Sequence, residues 1–98
     1  MAEITFDPIK ARQDEIAQYE ANIATYTSIV ANTPSEWPER LVAYKGSKNK
    51  HEVIATIEDL ADVELLSDLW ANDEAKAAIR TETLEKRKAE AILAAILG

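Results

Sequence analysis

Five carboxylates crowd the middle of this chain: Glu58, Asp59, Asp62, Glu64 and Asp68. Glu58/Asp62 and Glu64/Asp68 are i,i+4 pairs, so each pair shares a face if its segment is helical. Dense carboxylates can ligate a cation, move a proton or present negative surface. A calcium loop needs alternating oxygen ligands, a central glycine and a closing acid over about twelve residues. A carboxylate metal site in a helical bundle needs Glu-x-x-His repeats. Neither pattern occurs, so no metal and no other cofactor is expected. The remaining use is surface: either charge that the basic loop and the bases of the last helix offset within the fold, the rest keeping the chain soluble, or a face for a basic partner, steering its approach electrostatically. Carboxylates spaced along helices can also stand where nucleic-acid phosphates would, which makes inhibition of a nucleic-acid-binding protein the alternative reading.

The other reactive side chains point away from catalysis. His51 is the one histidine and cysteine is absent. A histidine base needs an activated nucleophile and an orienting acid in space, and adjacency to Glu52 supplies neither. Serines 28, 35, 47 and 67 lack the flanking glycines of a nucleophile elbow. The run Tyr44-Lys45-Gly46-Ser47-Lys48-Asn49-Lys50 places Lys45, Lys48 and Lys50 ahead of a helix start, where an anion is favourably held. It has one glycine where a Walker loop needs two at fixed spacing, so these lysines are candidate anion contacts only. A non-enzymatic protein is expected. Trp37, in a proline-flanked turn, is either a core plug or a candidate interface anchor, whereas Trp70 shares a face with Leu66 and Leu69 and is expected in a core.

Charge is laid out in blocks. Residues 1–39 carry seven acids and two bases, 40–51 four bases and no acid, 52–74 eight acids and no base, and 75–98 five bases and three acids. The total is −7. Such a balance argues against direct binding to nucleic acid or an anionic membrane.

The elements that must position these residues read as helices. Asp7 is a good N-cap and Pro8 suits the first helical position. Ile9, Ile16, Ile23 and Val30 then recur every seven residues, and Arg12, Tyr19 and Tyr26 fill the positions three further on. This is an a/d heptad seam with a partly polar d row. It serves either as core within the chain or as a self-association seam through Ile9, Ile16, Tyr19, Ile23, Tyr26 and Val30. Thr33-Pro34 ends this helix near residue 32.

A short helix is expected from Pro38 to Tyr44, with Gly46 after it as a left-handed C′ residue. Ser47 or Asn49 caps the next, which carries Val53, Ile54, Ile57, Leu60 and Ala61. The apolar stripe then changes phase, which predicts a break at Leu60-Ala61-Asp62 with Asp62 as cap, the alternative being one curved helix buried on two sides. A second restart is expected near Asn72 or Asp73, opening a last helix to Leu97. Its middle is polar, with Glu82/Lys86 a well-oriented i,i+4 pair. Ile4-Thr5-Phe6 is the one candidate strand.

The expected fold is a single all-α domain over residues 1–98. Two long helices, about 8–32 and 73–97, pack antiparallel around two or three short ones. The long seams match poorly, so either the short helices fill the gap or the first seam pairs with another copy. No basic n-region precedes an apolar run and no apolar stretch nears the ~20 residues of a membrane span, so a cytoplasmic location is expected. Size, acidity and helical content are similar to those of small bacteriophage-encoded proteins, some of them structural accessories and some that bind and disable host proteins. Together these readings predict a small acidic module that binds another protein through Glu58, Asp59, Asp62, Glu64 and Asp68 and forms a homo-oligomer. A subunit of a larger assembly is the third reading.

Overall fold

Asp7 opens the first helix as its position requires: one carboxylate oxygen accepts from the backbone N–H groups of Ile9 and Lys10 at 3.0 and 3.1 Å. A computed structural model describes residues 7–98. They form four helices, α1 (Pro8–Asn32), α2 (Glu39–Val42), α3 (Lys50–Thr56) and α4 (Leu60–Leu97), and no strand occurs among them. The expected strand at Ile4–Phe6 lies outside the described residues.

The all-α architecture with two long antiparallel helices and short ones between them is present. The second long helix, however, begins at Leu60 and runs 38 residues without interruption. The restart expected at Asn72 or Asp73 does not occur. The reason is that α4 packs on two different sides along its length. Leu66, Leu69 and Trp70 face the short helices, and Ala75 points about 180° away from Leu66, toward α1. A change of packing partner on a straight helix shifts the apolar stripe as a chain break would.

The molecule therefore has two parts. In the head, Leu41 of α2 joins Leu66, Leu69 and Trp70 of α4 in a buried cluster, with Trp37, Tyr44, Val53, Ile54, Ile57 and Leu65 packed around it. In the arm, α1 lies antiparallel along residues 75–97 of α4, with Asn72 at its junction with the head. Its register is fixed by Asn72 against Val30 and Thr33, Asn22 against Glu82, and Lys86 against Glu20. The shape is elongated, 63 × 32 × 22 Å with a radius of gyration of 19.6 Å. A compact domain of this length has a radius of gyration of about 13 Å.

The polar middle of α4 thus meets the α1 seam directly, and neither the short helices nor a second chain is needed to fill it. Asn22 Nδ2 donates to Glu82 Oε2 at 3.2 Å, and Lys86 Nζ lies 3.8 Å from Glu20. Both side chains reach across to α1, in place of the expected Glu82/Lys86 pair along α4. The seam residues Ile9, Ile16, Tyr19, Ile23, Tyr26 and Val30 are half-buried, and no residue of α1 is fully buried.

Two smaller expectations are corrected. The α3–α4 break exists, but it lies at residues 57–59, and Asp59 is the cap: its Oδ1 accepts from Ala61 N–H at 2.9 Å. Asp62 sits one turn in, on the side that faces α2. Gly46 does not take a left-handed conformation, because the chain leaves α2 through successive tight turns, Tyr44 to Leu41, Lys45 to Val42 and Ser47 to Tyr44. Asn49, one of the two candidates, caps α3 by accepting from Glu52 N–H at 3.3 Å.

Candidate interaction surfaces

The head core fixes the basic loop. Trp70 Nε1 donates to the carbonyl of Tyr44 at 3.0 Å, tying the end of α2 to α4. That anchors Lys45 over the Trp37 ring, 5.9 Å from its centre, and Lys50 over the Trp70 ring at 5.5 Å. Lys50 also pairs with Glu74. Two of the three candidate anion contacts therefore already hold partners within the chain, and exposed Lys48 is the third. Each cation–π contact at such exposure contributes about 0.5–1 kcal/mol. Trp37 is half-buried against the head cluster, and its Nε1 is buried without a hydrogen-bond acceptor.

The five singled-out carboxylates take up different positions. Glu58 is exposed in the α3–α4 connection, and Asp59 is exposed while capping α4. Asp62 is clamped by Arg40, whose Nη2 and Nε donate at 2.9 and 3.2 Å to the same carboxylate oxygen. The hydrogen bond to Asp62, then its charge, raises the Arg40 pKa above its ordinary value. Glu64 and Asp68 are exposed together, one turn apart, about 160° and 120° round α4 from Asp62. The five carboxylates thus spread around the head.

The head holds further acids that chain-order counting hid. Glu36 and Glu39, grouped along the sequence with α1, lie in the head and are exposed, as is Glu52. Over residues 33–74 the head carries ten acids and four bases, a net −6. Residues 7–32 and 75–98, the arm, carry seven acids and seven bases, a net zero. Of the eight acids in 52–74, only Asp62 and Glu74 have an ion-pair partner among the described residues. Grouping residues by the two packed parts, in place of consecutive blocks, would have revealed this segregation.

The arm carries two other features. Tyr19 Oη donates to Glu15 Oε1 at 3.0 Å. That bond, then burial, then the charges of Glu15, Glu85 and Glu82 raise the tyrosine pKa above 10.0. Nearer the head, a cleft of about 290 Å³ opens on one flank between the long helices, lined by Tyr26 and Ile29 of α1 and Ala71, Glu74, Ala75 and Ala78 of α4. Among the described residues no three histidine or carboxylate side chains are placed to hold a metal ion. No helix among them is long and apolar enough to cross a membrane. Comparison with protein-family models, curated proteins and solved structures finds no match to this chain.

Proposed function

We propose that this chain is a non-enzymatic interaction module whose acidic head binds a basic surface on another protein. The observation that carries the reading is the segregation of charge, −6 on the head and zero on the arm. A solubilising charge needs no such localisation. A head that concentrates unpaired carboxylates raises the local attraction for a basic partner and speeds encounter. Glu64 and Asp68, exposed and one turn apart, are the central contacts, with Glu52 and Glu58 as further exposed carboxylates of the head. Trp37 contributes apolar area at the edge of the same head.

The test is affinity capture from a cell lysate with three baits at low and high salt. Wild type and an arm variant, Lys76→Glu/Arg80→Glu, should retain the same basic protein and lose it steeply as salt rises. Glu64→Lys/Asp68→Lys should not retain it. Retention by the head variant, or binding that ignores salt, would overturn the proposal. Competition by added DNA for the captured protein would single out the nucleic-acid-mimic form of the reading.

A further inference from the structure

We infer that the cleft-bearing flank of the arm is an interface with a second copy of this chain, the two arms lying antiparallel. The arm is an unfinished layer. Two helices alone bury one seam, and here that seam leaves every residue of α1 partly open to solvent. The chain exposes 7163 Å², against about 5,600 Å² for a compact monomer of this mass.

One flank of the arm carries both halves of a self-complementary contact. Near the head lies the cleft floored by Ala71, Ala75 and Ala78 and walled by Tyr26 and Ile29, with Glu74, paired to Lys50, at its rim. At the far tip, Ile92 and Ile96 each remain 42% exposed. At about 100° per residue, Ala71, Ala78, Ile92 and Ile96 fall within about 60° of one another round α4. The cleft and the isoleucine pair are centred so that their midpoint is near residue 84, within two residues of the midpoint of the arm portion of α4. A two-fold axis there seats the tip of each copy in the cleft of the other, and the heads lie beyond both ends of the paired arms. The interface is isologous and closes at two copies.

Charge selects this arrangement. The arms are neutral and approach without repulsion, whereas a parallel pair would place two heads of net −6 side by side. Antiparallel pairing separates the heads by the length of the arm, ~33 Å, about three Debye lengths. The size also suits a stable dimer. A face two helices wide, ~20 Å, and ~33 Å long offers about 660 Å² per copy, somewhat under the ~800 Å² of standard interfaces. At the axis Lys88 and Glu85, paired at 3.4 Å within one chain, can exchange partners with their symmetry mates.

Two measurements test this on the full chain. In analytical ultracentrifugation at micromolar concentration the wild type should sediment at twice 10.9 kDa. Ile92→Glu/Ile96→Glu, at exposed positions, should stay helical and weaken dimerisation by at least about 100-fold. A monomeric wild type overturns the inference, as does a helical variant that dimerises unchanged. Because the chain has no cysteine, orientation is read by mixing Ala78→Cys with Ile92→Cys. The linker is a bis-maleimide shorter than the ~21 Å between these positions on one helix. Cross-linked dimer should form in the mixture and not with Ile92→Cys alone. The reverse pattern, a parallel pair, refutes the antiparallel arrangement even if the glutamate variant fails to fold.

Discussion

Asn72 is the residue that joins head, arm and helix end, and its replacement gives the sharpest stability prediction. It is fully buried, and its Nδ2 donates to the Val30 carbonyl at 3.2 Å, the Thr33 carbonyl at 3.3 Å and Thr33 Oγ1 at 3.0 Å. The last carbonyls of α1 have no partner within their own helix, so this amide acts as a cap supplied from α4. Two amide hydrogens shared among three acceptors amount to about two hydrogen bonds, each with a net contribution near 1 kcal/mol. Leaving buried carbonyls without a donor costs a further ~1–3 kcal/mol. Against this, Asn72 Oδ1 is itself buried without a partner, so deleting the side chain relieves a penalty of similar size. Asn72→Ala should therefore lose about 2 kcal/mol, or roughly 8–16 °C in Tm for a chain of this length. Asn72→Asp faces three oxygens with a carboxylate and should lose at least ~1 kcal/mol more than Ala. Urea unfolding followed by far-UV circular dichroism measures both. An alanine variant within about 0.5 kcal/mol of wild type, or an aspartate variant no worse than alanine, would refute the capping argument.

Further outcomes follow from the same packing. Leu66→Ala, at 0% exposure in the head cluster, should cost about 2–5 kcal/mol, whereas Leu84→Ala, 53% exposed on the arm, should stay within ~0.5 kcal/mol in the same unfolding assay. Asp59→Ala removes the α4 cap and should cost about 0.5–2 kcal/mol; Asp62→Ala removes a surface ion pair and should cost less than ~1 kcal/mol, and a larger effect at Asp62 would reverse the assignment of the cap. Because the folded state raises the Tyr19 pKa above 10.0, the contribution of its neutral form is complete below that pH and is lost as pH rises through the folded value. Thermal melts on either side of pH 10 should show a larger loss in wild type than in Tyr19→Phe.

The long helices were legible because local chemistry and packing agree in them. Asp7-Pro8 starts α1 and Thr33-Pro34 ends it, and the seven-residue recurrence of Ile9, Ile16, Ile23 and Val30 marks the face that α4 covers. The short helices were legible from Pro38 and Asn49. The continuity of α4 was hidden at Asn72, a residue that favours helix starts when its side chain turns back on its own backbone. Here that side chain serves the end of another helix instead. The polar residues Glu82 and Lys86 looked mismatched to the first seam, since their partners Asn22 and Glu20 lie sixty or more positions away. For the candidate surface, the abundance of acid was visible, but its arrangement depended on which bases fold against it. Arg40 and Lys50 engage Asp62 and Glu74, while Glu36 and Glu39 join the head only because the turn at Pro34 carries them there.

The central claim is that the acidic head is the partner-facing part of the molecule. The most direct test is a two-dimensional NMR titration of the labelled chain with a lysine-rich helical peptide, at low and high salt. Amide shifts confined to residues 36–39 and 52–74, abolished by salt and by Glu64→Lys/Asp68→Lys, are the predicted result. Shifts spread evenly along residues 8–32 and 75–97, or unchanged in the charge-reversed head, would contradict it.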